Sequence, residues 1–143
     1  MKEIIKAIYE QLTGSSIASA SYCSDRIYYG IAPFNTATNN TKYKVPTFPY
    51  MTFIKIGFEE EFTQQSQLNT YLFQFDVYDN DTSAVNIETM AGILEELFKL
   101  TAAEFSITGY KEVFMKNLTG QTIRTQQNNW RYISRCQLQA QNT

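Results

Sequence analysis

Residues 70–78, Thr70-Tyr71-Leu72-Phe73-Gln74-Phe75-Asp76-Val77-Tyr78, place an apolar side chain at every second position from Tyr71 onward. Gln74 and Asp76 fall between those positions, so the segment has the two-residue period of a β-strand with one face in the core. A second strand is predicted upstream, from Tyr50 to Phe58, where an apolar run follows Pro49. We expect the two strands to pair antiparallel, with the polar residues 59–69 between them as a solvated connection.

One helix is predicted before these strands and another after them. The first spans about Lys2 to Thr13, and Gly14 ends it. The apolar side chains on one face of this helix are Ile4, Ile5, Ile8 and Leu12. The second spans about Ser83 to Leu100 and follows a turn rich in N-cap residues. Its apolar stripe consists of Ile87, Met90, Ala91, Leu94, Leu97 and Phe98.

The C-terminal third predicts two more strands, from Val113 to Leu118 and from Trp130 to Gln139, joined by a polar connection or a long hairpin tip over residues 119–129. In the last strand Arg131 and Arg135 lie on the polar face, and Trp130 lies on the other face, where we interpret it as a core or rim anchor in preference to a ligand platform. The segment from Arg26 to Tyr29 also resembles a short strand, closed by Gly30. The predicted order is helix, strand pair, helix, strand pair. Such elements bury their apolar faces most simply when both helices pack on one side of a single sheet. We therefore predict a single domain over residues 1–143 with an α+β fold: a mostly antiparallel four-stranded sheet, two main helices packed on one face, and long irregular loops.

The segment from Ile31 to Pro49 contains all three prolines of the chain and has no periodicity. A loop of this length is uncommon in a compact domain unless it is functional or mobile. It contains more aromatic residues than disorder favours, so we expect it to order against its own domain or against a neighbour. The predicted interface residues are Phe34, Tyr43, Phe48, Pro49 and Tyr50 here, together with Arg124 and Gln126 in the 119–129 connection.

The charge pattern excludes one class of function. The net charge is −2, charged residues make up 18%, and no basic stripe is present, so the sequence lacks the electrostatic signature of a nucleic-acid-binding protein. Aromatic residues reach 15%. Two interpretations stay open for this sparsely charged composition: a surface suited to packing against copies of itself, because little charge must be desolvated, or a bias of the host.

Catalytic and metal-binding motifs are missing from the sequence. Histidine is absent, which removes the commonest general base, most zinc sites and the usual nucleophilic triads. The segment from Asp79 to Ser83 begins like a calcium-binding EF-hand loop, but Ala84 stands where glycine is needed and Met90 where a bidentate glutamate is needed. We expect no catalytic residue, no metal and no cofactor, and we interpret this acidic cluster, which includes Asp76, as a strand end followed by helix caps. A hydrolase that uses carboxylates stays open, because such pairs meet only in the fold.

Cys23 and Cys136 are far apart and form no CxxC motif. Two buried thiols of a cytoplasmic protein are favoured over a long-range disulfide, which stays open. No apolar run approaches the ~20 residues of a membrane span, and the N-terminus lacks an apolar signal region, so we expect no membrane partner.

The order of these elements resembles a known family. The first helix contains Ile5-x-x-Ile8-Tyr9-x-x-Leu12, the long loop ends in Pro49-Tyr50 directly before a strand, and the next strand ends in Phe75-Asp76-Val77-Tyr78. Arginines are loosely spaced between Arg124 and Arg135 in the C-terminal strand pair. On element order, length and the Pro-Tyr and Asp-Val-Tyr signatures, nearly the whole chain is similar to the tail terminator (tail completion) proteins of long-tailed bacteriophages.

The resemblance implies an α+β subunit of a hexameric ring that caps the tail tube, stops its polymerisation and joins the tail to the head of the virion, after assembly in the host cytoplasm. The implied partners are further copies of the chain, the tail tube protein and a head-completion protein, with DNA only passing through the lumen. The loop between Ile31 and Pro49 is longer and richer in Asn and Thr than the family pattern, which leaves open a head-completion or connector role. A small non-viral adaptor module that binds a protein through the same loop is the other alternative.

Overall fold

The computed structural model describes residues 2–30, 35–36, 43–44, 47–62, 67–99, 107–126 and 128–142. The helices are α1 (Lys2–Thr13), a short 3-10 helix (Ser16–Ala18) and α2 (Val85–Leu97). The strands are β1 (Ile27–Tyr29), β2 (Asn35–Thr36), β3 (Tyr43–Lys44), β4 (Tyr50–Phe62), β5 (Gln67–Asp79), β6 (Tyr110–Arg124) and β7 (Trp130–Asn142). None of the described helices has the length and apolarity needed to cross a membrane.

The main sheet has five strands in the order β1-β4-β5-β7-β6, and β2 and β3 form a separate two-stranded sheet. The prediction of an α+β fold is confirmed, but the four-stranded, mostly antiparallel sheet is wrong in two respects. The segment seen at Ile27–Tyr29 joins the sheet as a fifth strand, and it runs parallel to β4. Met51 N–H donates to Arg26 O at 2.9 Å and Gly30 N–H donates to Phe53 O at 2.8 Å. Backbone hydrogen bonding thus places β1, whose three residues are too short to show a period.

Polar segments that the sequence assigned to connections are largely strand. β4 continues to Phe62 and β5 starts at Gln67, so only residues 63–66 separate them, and β6 continues to Arg124. Strand continuity here comes from backbone pairing along the whole ladder, which needs no apolar alternation. Register shifts between Lys55 and Gly57 and between Asn117 and Thr119 break the alternation further. The second helix begins at Val85 rather than at the predicted Ser83 and ends at Leu97 rather than at the predicted Leu100. Ser83 Oγ accepts from Val85 N–H at 3.3 Å in the turn before it.

Both helices pack on the same face of the main sheet. α1 buries Ile4, Ile8 and Leu12, and α2 buries Ile87, Met90, Ala91 and Leu94, as the two helical periods predict. The sheet contributes aromatic side chains that are fully buried. Phe75 lies between the rings of Phe53, at 5.8 Å between centroids, and Phe98, at 4.5 Å. Phe98 directly follows the end of α2. Each such buried side chain stabilises the fold by roughly 1.5–3 kcal/mol.

The opposite face of the main sheet, here called the outer face, carries the alternate residues of each strand. On β5 these include Gln74, Asp76 and Tyr78, and on β7 they include Arg131 and Arg135, as the alternation predicts. The predicted pairing of β4 with β5 and of β6 with β7 is confirmed. The contact between β5 and β7, which joins the two pairs into one sheet, was not predicted.

Candidate functional site

An aromatic stack stands where the proline-rich segment enters β4. Tyr50 on β4 stacks on Tyr78 on β5, with 4.7 Å between ring centroids and 16° between the ring planes. Phe48 lies beside Tyr50 with its centroid 5.3 Å away. Burial raises the pKa of both phenols, so both stay neutral hydroxyls at physiological pH. The stack presents apolar ring surface with hydroxyl groups attached, a combination enriched at protein interfaces.

An ion pair continues the stack onto β7. The Arg131 guanidinium lies over the Tyr78 ring at 5.5 Å and donates two hydrogen bonds to Asp76 Oδ1, from Nε at 3.0 Å and from Nη2 at 2.8 Å. Asp76 Oδ2 accepts from Gln74 Nε2 at 3.0 Å, and Gln74 Oε1 accepts from Arg135 Nε at 3.3 Å. Asp76 is only 6% exposed although it lies on the outer face. The carboxylate is therefore held by partners on both oxygens, and it fixes the arginine against the tyrosine.

Hydrogen bonds to Arg26 hold the residues that precede the stack. Arg26 Nε donates to Pro49 O at 2.9 Å and its Nη2 donates to Tyr22 O at 3.0 Å. The peptide bond between Phe48 and Pro49 is cis. One side chain thus connects the entry of β4 to the segment before β1, which places Phe48 and Pro49 in the same cluster as Tyr50.

The other predicted interface residues lie at the turn between β6 and β7. The Arg124 guanidinium lies over the Trp130 ring at 4.6 Å. Thr125 closes the turn, because its N–H donates to Asn129 O at 2.7 Å and its Oγ1 accepts from Asn129 N–H at 3.2 Å. Gln126 is exposed at this turn. Trp130 therefore acts as a partly buried anchor under Arg124, in line with its interpretation as a core or rim residue.

The two sets of predicted residues meet at one end of the sheet. The registers place Tyr50 opposite Tyr78, Tyr78 opposite Arg131, and Arg131 opposite Ile123 in a single row. In the next row Trp130 stands opposite Arg124. Neighbouring residues of a strand point to opposite faces, so the tyrosine stack lies on the outer face and the Arg124–Trp130 pair on the helix side. We call this end of the sheet the aromatic end.

The predicted interface is only partly covered by the structure. Phe34 lies outside the described residues, and the described backbone of Tyr43 pairs with that of Thr36. Sequence reasoning missed the roles of Tyr78, Arg131 and Asp76 in the cluster. The alternation assigned Asp76 and Arg131 to the polar face, but only the unpredicted contact of β5 with β7 brings them together.

The two cysteines and the acidic side chains of the described ranges bear on nucleophilic and metal-dependent chemistry. Burial raises the pKa of the Cys23 thiol to about 12 and that of Cys136 to about 11, so both free thiols stay protonated at neutral pH. No group of three or more Cys, Asp or Glu in those ranges could hold a metal ion. Asp81 Oδ1 instead lies 3.4 Å from Ser83 N–H, as expected of a turn that leads into a helix.

An open groove of about 580 Å³ lies between the 3-10 helix and α2. Its lining includes Ile93 and Leu97 with Ser15, Ser16 and Thr89, and Glu96 is the only ionisable group among the residues that line it. Glu96 accepts a hydrogen bond from Lys99 Nζ at 3.0 Å, and a single carboxylate in this lining offers no carboxylate pair for hydrolysis. Stacking, hydrogen bonding and apolar contact are among the interactions that the described surface offers a partner.

Comparison with known proteins extends these observations. No family model and no curated protein matches the sequence. Among solved structures, a chain of the "virion of native gene transfer agent (GTA) particle" is 12% identical with a TM-score of 0.72, and the alignment covers 96% of this chain and 93% of that chain. A second solved structure is 17% identical with a TM-score of 0.63, covering 99% of this chain and 96% of that one. The α+β architecture is therefore a fold that other proteins share over almost their entire length.

Proposed function

We propose that this chain is a structural protein of a virion, a ring-forming tail terminator that caps the tail tube and joins the tail to the head. The observation that carries the proposal is the end-to-end match to a chain of a virion particle, which covers 96% of one chain and 93% of the other. The sequence resemblance to tail terminators points the same way and rests on different features, the Pro49-Tyr50 and Asp76-Val77-Tyr78 signatures.

The surface chemistry supports an assembly role without catalysis. The thiols are buried and protonated, and the prominent polar cluster around Asp76 has its groups satisfied by each other. A ring subunit contacts neighbouring copies and also the next ring of the virion, and aromatic groups beside arginines serve such contacts well. Phe48, Tyr50 and Arg131 at the aromatic end have this character.

A head-completion or connector protein is the second candidate. The structural match is to a chain of a virion particle, which suits either position in a virion, and the segment from Ile31 to Pro49 departs from the tail terminator pattern. The two roles differ in their partner. A tail terminator binds the end of the tail tube, whereas a connector protein binds the head side of the junction and leaves isolated tail tubes uncapped.

Native mass spectrometry tests the proposal. We expect the purified chain to form a closed oligomer, with six copies as the expected number, either alone or when the tail tube protein is added. A strictly monomeric species at all concentrations, with tail tubes present, would refute it and would leave the non-viral adaptor module as the better description. A ring that ignores tail tubes and binds head particles would favour the connector role.

A further inference from the structure

The two edges of the main sheet differ from its centre in how they are paired. β1 covers β4 only from Met51 to Phe53, and beyond it Lys55 N–H donates to Tyr29 Oη at 3.5 Å, so on that side no described strand pairs with residues 54–62. At the other edge lies β6, with 15 residues and a partner on one side only among the described strands. Unpaired strand edges display backbone donors and acceptors that readily accept another strand. Both are long, and neither contains a proline.

The exposed apolar side chains concentrate on these same two edges. Of the eight large apolar residues that are exposed in the described chain, five lie on β4 and β6 and none on the central strands β5 and β7. They are Ile54 (40% exposed), Ile56 (44%) and Phe58 (49%) on β4, and Phe114 (49%) and Leu118 (45%) on β6. An unpaired apolar edge promotes aggregation. Proteins usually prevent this with charged residues or prolines on the edge, unless a partner covers it.

The two edge segments also lie in the same rows of paired residues across the sheet, and we call two residues of one row level. Followed through β5 and β7, Ile54 is level with Thr119, Phe58 with Met115 and Glu59 with Phe114. The free part of β4 is therefore level with the part of β6 that bears its exposed apolar side chains. The three strand pairings that lie between β4 and β6 are all antiparallel, so β4 and β6 run in opposite directions. Copies placed side by side in the same orientation would bring these strands together as an antiparallel pair, without any two-fold rotation.

The charges of the two edges are opposite. Counted along the sequence, residues 54–62 carry one lysine and three glutamates, a net charge of −2, and residues 110–124 carry two lysines, one arginine and one glutamate, a net charge of +2. Glu59 and Lys116 are exposed and both belong to the outer face by their registers. In the level alignment they are diagonal neighbours across the new strand pair, a spacing that long side chains bridge.

We propose that the free part of β4 in one copy of this chain pairs antiparallel with β6 of the next copy, so that the sheets join head to tail into one continuous sheet. This inference rests on the proposed function, because it supplies the contact by which a ring of identical subunits would close. Same-edge pairing of β6 with β6 would require a two-fold axis and would stop at a dimer. An extended peptide of another protein could also lie on β6, but the matching height and opposite charge of β4 favour a second copy.

Reversal of charge on each edge tests the contact, with oligomer populations measured by native mass spectrometry over a range of concentrations. Like charges at an interface are strongly unfavourable, so E59K and K116E are each expected to raise the apparent dissociation constant of the oligomer about tenfold or more. The double variant restores opposite charges and should return to within about threefold of the wild type. E88K, which reverses an exposed charge on α2 and leaves both edge strands unchanged, is the matched control and should assemble as the wild type does.

Disulfide trapping is an independent test of the contact between β4 and β6. Within one copy Ile54 and Thr119 are separated by two strands, about 14 Å, which is too far for a disulfide that needs Cα atoms within about 7 Å. The variant I54C/T119C should therefore give a ladder of covalently linked copies under mild oxidation, while I54C alone and T119C alone should not. A dimer formed by T119C alone would overturn the proposal in favour of same-edge pairing.

The outcomes separate this inference from the proposed function. An oligomeric wild type whose assembly is unchanged by E59K and K116E, or single variants that the double variant fails to rescue, would overturn the edge contact and leave the ring intact. A wild type that stays monomeric with tail tubes present would overturn both. The edge contact predicts weaker oligomerisation of E59K and of K116E, recovery in the double variant, and a ladder of disulfide-linked copies of I54C/T119C.

Discussion

Arg131 donates two hydrogen bonds to a single oxygen of Asp76, although 55 residues separate the two side chains in the sequence. The contact spans the junction between β5 and β7, where the N-terminal and C-terminal strand pairs become one sheet. Its geometry also fixes the arginine over the ring of Tyr78. A polar contact on the face turned away from the core thus stabilises both the sheet and the aromatic end that we propose for assembly.

Removal of either partner of this ion pair should destabilise the protein. In R131M the nearly buried Asp76 carboxylate keeps Gln74 as a partner but loses its cation, which should lower the free energy of unfolding by about 1–3 kcal/mol. D76N should cost a similar amount, and urea denaturation measures both. In the double variant the two losses should not add, because each single change removes the same interaction. Strictly additive losses would show that the ion pair carries no coupling energy.

Gly120 should not tolerate a side chain. A Cβ atom there would collide with the hydroxyl of Tyr132 and would come within 3.2 Å of Cζ, and that hydroxyl is held by a 3.2 Å hydrogen bond to Glu95 Oε1. G120A should therefore lower stability by about 1–3 kcal/mol. G92A is the matched control, because nothing lies within 4 Å of a Cβ at this helical position. Alanine there should be neutral or stabilising by up to about 1 kcal/mol, and equal thermal shifts for the two variants would contradict the packing described.

Stability should fall as pH rises above 9. Burial raises the pKa of the Cys23 thiol from 9.0 to about 12 and that of Cys136 from 9.0 to about 11, so above pH 9 the unfolded state loses protons that the folded state retains. Burial next to Glu95 likewise raises the pKa of Tyr132 from 10.0 to about 12. Each retained proton lowers the free energy of unfolding by up to about 1.4 kcal/mol per pH unit.

Urea denaturation at pH 8, 9, 10 and 11 measures this slope. The variant C23A removes one of the three groups, so its stability should depend less steeply on pH than that of the wild type, whatever its loss at pH 8. A wild-type stability that stays constant or rises between pH 9 and 11 would show that these groups are not shielded in the folded state.

The residues that repeat with a clear period could be placed from sequence. Ile4, Ile8 and Leu12 on α1 and Phe73 and Phe75 on β5 lie in the core as predicted, because burial of an apolar face imposes that period. Polar strand extensions such as Glu59 to Phe62 could not be recognised, since backbone pairing holds them and leaves no apolar pattern. The register that brings Arg131 beside Tyr78 follows from the contact of β5 with β7, which depends on tertiary packing rather than on the local sequence.

The interface residues stay a prediction, and their surroundings in the structure show the same division. Phe48, Pro49 and Tyr50 could be singled out because a proline-bounded segment with aromatic residues needs something to pack on. Their partners Tyr78 and Arg131 belong to regular strands, and nothing in the sequence around them indicates an interface. The exposed apolar residues of β4 and β6 were also missed, because a strand reads the same whether its apolar side faces a core or another subunit.

The central claim, a ring that ends a tail tube, is tested most directly by electron microscopy of tail tubes assembled with and without this protein. With the protein present, the account predicts tubes that stop growing and carry a ring of this chain at one end, and the variants E59K and K116E should leave tubes uncapped where the double variant caps them. Tubes that elongate to the same lengths with no density of this chain at either end would contradict it.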